Sequence, residues 1–173
     1  MNCNNKHILE QKMTANVSKS KIVMRNLRRS DLDEIIRIDS LATGFPRNSY
    51  FKRKFERIFG EDHQLLISLV ATDGDRVIGY IMGEANTGEY GIPEAVASVD
   101  TIGIDPAYKR LGVGAMLLDE YCALAAKAGI ELMTTLISED YPDIVEFFRS
   151  QDFKQAKMVA LERKLEPMPR HEH

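Results

Sequence analysis

The segment from residue 101 to residue 121 combines residue types that bind phosphate groups. It reads TIGIDPAYKRLGVGAMLLDEY: an apolar stretch, a proline turn, two cations, two glycines and an amphipathic stretch. Gly112 and Gly114 have no Cβ, so the backbone can bend sharply here and approach a ligand closely. The first N–H groups of a helix that begins at these glycines lack intrahelical acceptors, and with the helix dipole they attract anions. The segment therefore predicts an anion site.

Two common nucleotide-binding motifs do not fit this segment. A Walker loop requires G-x-x-x-x-G-K-[ST], whereas Lys109 and Arg110 precede the glycines and no Lys-Ser or Lys-Thr pair follows them. The dinucleotide fingerprint G-x-G-x-x-G requires a third glycine, and Leu117 occupies that position. Both failures weigh against a nucleotide-binding module.

The segment resembles the acyl-CoA loop R/Q-x-x-G-x-G/A of the Gcn5-related N-acetyltransferase (GNAT) superfamily. Residues 104–106, I-D-P, match the V-x-P turn of that family, and Tyr108 matches an aromatic residue often found before the loop. Gly112 and Gly114 match the two small residues. Lys109 stands at the Arg/Gln position, where it keeps a positive charge but loses the fork of a guanidinium group.

Composition predicts a globular chain with a full hydrophobic core. The 173 residues are 44% hydrophobic and 28% charged, which suits one domain. A net charge of −3 argues against nucleic acid as a partner, because nucleic-acid-binding domains are usually basic. No run approaches the roughly 18 apolar residues of a membrane span, and the N-terminus lacks an apolar signal-peptide core. We therefore expect a cytoplasmic protein without a membrane partner.

The two cysteines predict neither a metal site nor a disulfide framework. Cys3 and Cys122 are far apart in sequence and have no metal-ligand spacing. Cys122 lies in the predicted helix after the loop, without a nearby His or charged setting that would lower its pKa. We interpret it as a small buried apolar residue rather than a nucleophile.

The pattern along the chain predicts a flexible N-terminal extension over residues 1–20, a single domain over 21–165 and a C-terminal tail over 166–173. Ser30 is the expected N-cap of the first helix, and an Asp-Gly pair at residues 73–74 indicates a hairpin. Strands are predicted at 22–27, 64–72, 76–85, 95–104 and 131–137, with Phe153 and residues 158–165 forming a final strand or hairpin. Further helices are predicted at 48–59, 113–128, where Gly129 ends the helix, and 143–150, and a loop is predicted at 86–94.

This order of elements is similar to that of the GNAT acyl-CoA N-acyltransferase fold. The resemblance covers about residues 21–165. It implies an α/β (α+β) fold in which a mixed central sheet of about six to seven strands is flanked by about four helices.

The resemblance also implies acetyl-CoA as the acetyl donor and no metal. By likeness to the family, Ile102, Gly103 and Ile104 pair their main chain with the pantetheine arm, and Phe148 packs beside that arm. Lys109 adds positive charge near the phosphates. The pyrophosphate is expected to meet the consecutive N–H groups of Arg110, Leu111, Gly112, Val113, Gly114 and Ala115.

Transfer to an amine requires a group that removes a proton from the acceptor. Asp100 is the first candidate, because it interrupts an apolar strand just before the loop, where relatives often carry an acid. Glu84, near the end of its strand, is the second. For each the alternative is a structural edge carboxylate.

The acid that protonates the departing thiolate is less clearly defined. Relatives commonly use a Tyr in a Y-x-x-x-G-F segment, but here Phe148 replaces that Tyr and Asp152 replaces the Gly. Tyr141 stands where relatives often carry an Asn that contacts the cofactor. Either Tyr141 or a water donates the proton, or transferase activity is weak or absent; we favour the first interpretation.

The predicted second helix carries a run of cations, Lys52, Arg53, Lys54 and Arg57. We favour a solvated helix face for this run over a patch that selects acidic acceptors. The leading functional hypothesis is an N-acetyltransferase that acts on an amine of a small molecule, a peptide or a protein, by direct attack in a ternary complex. The alternative is a non-catalytic acyl-CoA-binding or regulatory domain. Relatives are often homodimers.

Overall fold

A computed structural model describes residues 22–60, 66–87 and 94–165. The chain divides into two compact units, Met1–Leu136 and Ile137–His173. The predicted extension at 1–20 and tail at 166–173 lie outside the described residues. The single domain over 21–165 stays a prediction, and the two units are described separately below.

The described part of the first unit is built on a mixed sheet of five strands. The strands are β1 (Ile22–Asn26), β2 (Leu66–Asp73), β3 (Arg76–Thr87), β4 (Ala95–Ile104) and β5 (Leu132–Thr135). Their order in the sheet is β1-β2-β3-β4-β5, with antiparallel pairing up to β4 and parallel pairing between β4 and β5. The fold class is confirmed, with five strands where about six to seven were expected from the family resemblance.

The hairpin between β2 and β3 is confirmed. Asp73 pairs with Arg76, and Gly74 takes a φ of 59°, a left-handed conformation that favours glycine. The far end of β3 corrects a prediction, because Asn86 pairs with Val96 as part of the strand. The predicted loop at 86–94 is therefore shorter at its start, and residues 88–93 lie outside the described residues.

Four α-helices lie in the described residues: α1 (Leu32–Thr43), α2 (Asn48–Ile58), α3 (Val113–Lys127) and α4 (Pro142–Ser150). The prediction of Ser30 as N-cap is wrong, because Ser30 lies inside a single 3-10 turn, Arg29–Asp31, that precedes α1. The Asp31 carboxylate instead accepts the Arg28 N–H at 2.7 Å and pairs with Arg25 at 2.8 Å. A partly buried ion pair and this hydrogen bond therefore lie at the start of α1.

The helices of the first unit cover both faces of the sheet. Tyr80 and Met82 of β3 point towards α1 and α2, whereas their neighbours Gly79 and Gly83 approach Leu117 and Tyr121 of α3. The α1 and α2 side holds a buried apolar cluster of Leu27, Ile35, Ile38, Phe51, Phe55, Val70, Val77, Tyr80 and Met82. None of the helices in the described part of the chain is long and apolar enough to cross a membrane.

In the second unit, α4 begins at Pro142, whose fixed φ suits the first helical position. Phe148 is buried and makes an edge-on contact with Phe153 at 5.0 Å between ring centroids. The predicted final strand at 158–165 is wrong, because these residues have no regular secondary structure and Val159 and Leu161 are exposed. An apolar run forms a stable strand only when a neighbouring strand pairs with it.

Gly83 of β3 leaves no space for a Cβ. A Cβ added there would lie 1.8 Å from the Ser98 carbonyl oxygen and 2.2 Å from the Tyr121 hydroxyl. We expect Gly83→Ala to lower the free energy of unfolding by about 3 kcal/mol or more, because backbone must move. The control is Gly129→Ala, at φ 80° with open space around it, which should cost only about 1 kcal/mol. Equal losses in urea unfolding of the two variants would contradict this account of Gly83.

Candidate functional site

A β-bulge interrupts β4 at Asp100. Met82 of β3 pairs with Thr101 and Gly83 pairs with Val99, so Asp100 has no partner in β3. A bulge sets two consecutive residues against one residue of the neighbouring strand. As a result Asp100 and Thr101 both meet side chains on the face covered by α1 and α2. The Asp100 carboxylate lies 2.5 Å from the Lys54 ammonium, and the Thr101 hydroxyl lies 3.5 Å from the hydroxyl of Tyr80.

The two predicted bases, Asp100 and Glu84, both contact the Ser98 hydroxyl, Asp100 through its carboxylate and Glu84 through its main-chain carbonyl. Ser98 donates a hydrogen bond to Asp100 Oδ1 at 2.9 Å, and its oxygen lies 3.4 Å from the carbonyl oxygen of Glu84. The Glu84 carboxylate is 2.6 Å from Arg57 Nη2. Each carboxylate is therefore paired with a cation of α2.

These ion pairs correct the interpretation of the basic run on α2. Lys52 and Arg53 are exposed, as a solvated face requires. Arg57 pairs with a strand carboxylate but its side chain is still 56% exposed, whereas the Lys54 side chain is only 15% exposed. The residue types alone cannot reveal this difference, because it depends on how α2 packs on β3 and β4.

A buried polar network lies beside the bulge. The Asp39 carboxylate accepts two hydrogen bonds from Arg47, at 2.8 and 2.5 Å, and a third from the Tyr80 hydroxyl at 3.1 Å. Burial raises the pKa of Tyr80, which keeps its phenol neutral. No motif singles out these residues. The available signal is Asp39 itself, an acid at helical spacing from the buried Ile35 on the apolar side of α1.

Beyond the bulge, β4 has an open main-chain edge. The parallel pairing with β5 ends at Val99 and Thr135, whereas β4 continues to Ile104 and pairs only with β3 there. Within the described part of the first unit, residues 100–104 therefore lack a strand partner on the side away from β3. Ile102, Gly103 and Ile104, predicted to pair with pantetheine, lie on this open edge.

The loop after β4 presents a row of unused N–H groups. Arg110 and Gly112 have positive φ angles of 62° and 81°, and Gly112 is the N-cap residue of α3. A positive φ at a residue other than glycine is uncommon and often marks a functional loop. The first backbone bond of the helix runs from Met116 N to Gly112 O at 3.0 Å. None of the described hydrogen bonds uses the N–H groups of residues 110–115.

Two cations accompany these N–H groups. Lys109 and Arg110 lie in the loop before α3, both are exposed, and neither forms an ion pair with any residue that the structure describes. Their charges are therefore available to an anionic ligand, and they add to the field of the helix N-terminus.

The base of the loop is held by Asp105 and Tyr108. The buried Asp105 carboxylate pairs with Arg37 at 2.8 Å and Arg76 at 2.9 Å, and it accepts the Ala107 N–H at 3.0 Å. Burial alone would raise the pKa of Asp105, but the Arg37 guanidinium and the Ala107 N–H together hold it below its usual value. Tyr108 donates a hydrogen bond to Asp73 at 2.9 Å, which ties the loop to the β2–β3 hairpin.

The lowered pKa of Asp105 makes an acid-dependent contribution to stability. A carboxylate with a lowered pKa in the folded state stabilises the fold above its unfolded pKa of about 3.9, and this contribution is lost as the pH falls through the folded pKa. We expect Asp105→Asn to cost about 1 to 3 kcal/mol at pH 7 and to reduce the loss of stability between about pH 4 and pH 2. Urea unfolding at several pH values measures both effects. Asp33→Asn, at an exposed position, is the control, and equal behaviour of the two variants would contradict the prediction.

Two residues that were predicted to contact the cofactor or to donate a proton belong to the second unit. Tyr141 directly precedes α4 and its side chain is 57% exposed, whereas Phe148 is buried against Phe147 and Phe153. Their roles towards acetyl-CoA and the departing thiolate stay predictions.

Other reactive groups are not prominent in the first unit. Cys122 is half-buried, and burial raises the pKa of its thiol, which does not favour a nucleophile. Among the residues that the structure describes, no group of three or more His, Cys, Asp or Glu side chains could hold a metal ion.

Comparison with known proteins relates this geometry to enzymes that transfer acetyl groups. Residues 32–153 match the family described as the acetyltransferase (GNAT) family. An uncharacterized N-acetyltransferase of Methanocaldococcus jannaschii is 22% identical over 144 residues, which cover 79% of this chain and 62% of that protein. The chain thus spans less than two thirds of the length of this curated relative.

Solved structures show the same fold. A transcriptional regulator from Bacillus halodurans C-125 superposes with a TM-score of 0.70 at 18% identity, covering 83% of this chain and 99% of that one. The aminoglycoside N-acetyltransferase AAC(6')-Iy, solved in complex with CoA, superposes with a TM-score of 0.69 at 16% identity, covering 83% of this chain and 94% of that one.

Proposed function

The chain belongs to the acetyltransferase (GNAT) family, and from this premise we propose that it transfers the acetyl group of acetyl-CoA to an amine by direct attack in a ternary complex. The observation that carries the proposal is the row of unused N–H groups at residues 110–115, beside Lys109 and Arg110 and directly after the open edge of β4. The N–H row suits a pyrophosphate, and the open edge suits an extended pantetheine arm.

In this proposal the carboxylates beside the bulge take the proton from the acceptor amine. Asp100 takes a proton from the acceptor ammonium, directly or through water, so that the neutral amine attacks the thioester carbonyl. Glu84 is the second candidate for this role. A main-chain N–H of the unpaired segment 100–104 stabilises the negative charge that develops on the carbonyl oxygen. The carbon–sulfur bond then breaks, and Tyr141 or a water protonates the sulfur.

The cations that surround Asp100 and Glu84 affect which amine can act as acceptor. AAC(6')-Iy is named for aminoglycosides, which carry amines, and this supports a small-molecule amine as one class of acceptor. Here Lys54 and Arg57 already pair with Asp100 and Glu84, so a cationic acceptor must displace at least one of these cations. We therefore propose an amine of a small molecule, a peptide or a protein, and expect no preference for highly charged polycations.

The proposal is tested by incubating the protein with acetyl-CoA and a panel of amines that includes an aminoglycoside, a polyamine, a lysine peptide and an α-amino peptide. Release of CoA thiol and mass spectrometry of the acetylated amine together identify transfer. Tight CoA binding without turnover on any amine would contradict the transferase and favour an acyl-CoA-binding domain. Absence of CoA binding would contradict both.

A further inference from the structure

We propose that Lys54 of α2 is itself an acetyl acceptor, so that the protein acetylates its own chain at this residue. The inference rests on the proposed function, because it uses the same acetyl donor and the same base. It assigns a modification site to a residue for which the sequence indicated only a place on a cationic helix face.

The position of the Lys54 ammonium supports this inference. Its nitrogen lies 2.5 Å from Oδ2 of Asp100, the carboxylate proposed to take a proton from the acceptor amine. The aromatic ring of Tyr50 lies on another side, with its centroid 5.8 Å from the same nitrogen. Lys54 thus holds a primary amine at the place where an external acceptor must meet its base.

The environment distinguishes Lys54 from the other cations on α2. Lys52 and Arg53 are exposed and contact no carboxylate among the described residues, and Arg57 is a guanidinium that pairs with Glu84. Lys54 alone of these four combines a primary amine with a described contact to Asp100. Asp100 is also the bulge residue that opens the unpaired segment 100–104, so this amine lies beside the main chain proposed to hold the thioester.

The reaction conserves atoms and charge. The Lys54 ammonium first gives one proton to the Asp100 carboxylate, which passes it to water. The neutral nitrogen then attacks the acetyl carbonyl carbon, a carbon–nitrogen bond forms, and the carbon–sulfur bond of the thioester breaks. The second proton leaves the nitrogen and reaches the sulfur, giving CoA thiol and an N-acetyl-lysine. The product has lost its positive charge, so the Asp100 carboxylate is released for an external amine.

The experiment incubates the full chain with acetyl-CoA and no added amine, and follows the protein by intact mass spectrometry and peptide mapping. We expect one acetyl group, located on Lys54, to accumulate over the incubation. Lys54→Arg keeps a cation beside Asp100 but should lose the acetyl group, whereas Lys52→Arg should keep it. Asp100→Asn should slow the labelling of Lys54 by about a hundredfold.

Two outcomes would overturn the inference. One is an unlabelled Lys54 in a protein that binds CoA and acetylates an amine of the panel, which would leave the proposed function intact. The other is acetylation spread over exposed lysines, Lys52 included, at the rate of Lys54, because that pattern is ordinary chemical acetylation. A protein that neither binds CoA nor acetylates any amine would overturn the proposed function as well.

Discussion

Replacing Gly112 by Gln is expected to lower the affinity for CoA by at least about a hundredfold, equivalent to about 2.7 kcal/mol. Gly112 has a φ of 81° and is the N-cap residue of α3, at the centre of the unused N–H groups of residues 110–115. A side chain at residue 112 projects from a tight turn. In our proposal the backbone of that turn must approach the phosphates closely. A residue with a side chain also favours a negative φ. That conformation turns the neighbouring N–H groups away from the phosphates.

The matched control for this variant is Gly129→Gln. Gly129 follows the other end of α3, has nearly the same φ of 80°, and has open space around the position of a Cβ. Both variants should lose about 1 to 2 kcal/mol of folding stability, because both force a side chain into the left-handed region. Only Gly112→Gln should lose CoA binding in a calorimetric titration. Unchanged affinity in that variant would remove the loop from the site.

Asp100→Asn is expected to reduce kcat for amine acetylation by about a hundredfold while KM for acetyl-CoA stays the same. The amide keeps the shape of the carboxylate but cannot take a proton. The deficit should shrink as the pH rises, because more of the acceptor amine is then already neutral. A pH profile of kcat for the wild type and the variant measures both effects.

The companion variant for this test is Glu84→Gln. Both carboxylates pair with a cation of α2, so each variant removes one such ion pair. If Asp100 is the base, Glu84→Gln should keep most of its activity. Full activity of Asp100→Asn across the pH range would exclude Asp100, and a large loss in Glu84→Gln alone would transfer the role to Glu84.

Local signals in the sequence were sufficient to predict the elements around the loop that follows β4. The apolar run before residues 104–106 predicts β4 with the bounds that the structure has, Ala95–Ile104. Gly112 and Gly129 delimit α3, and both adopt the positive φ that glycine allows. These features depend on short-range backbone preferences, which a sequence displays directly.

Features that depend on pairing between distant segments were not predictable in this way. The bulge at Asp100 exists only in the register between β3 and β4, and no residue type marks it. Lys54 is indistinguishable from the exposed Lys52 until α2 packs against the sheet. The strand predicted at 158–165 is wrong for the same reason, since its apolar residues do not show which strand would pair with it.

We propose that the loop after β4 and the open edge of that strand together bind acetyl-CoA. The most direct measurement is a titration of isotopically labelled protein with CoA, followed through the NMR signals of the backbone amides. We expect saturable shifts concentrated at residues 110–115 and 100–104, with little change at Gly129 on the far end of α3. Binding that leaves the amides of 110–115 unmoved, or no binding at all, would contradict the account.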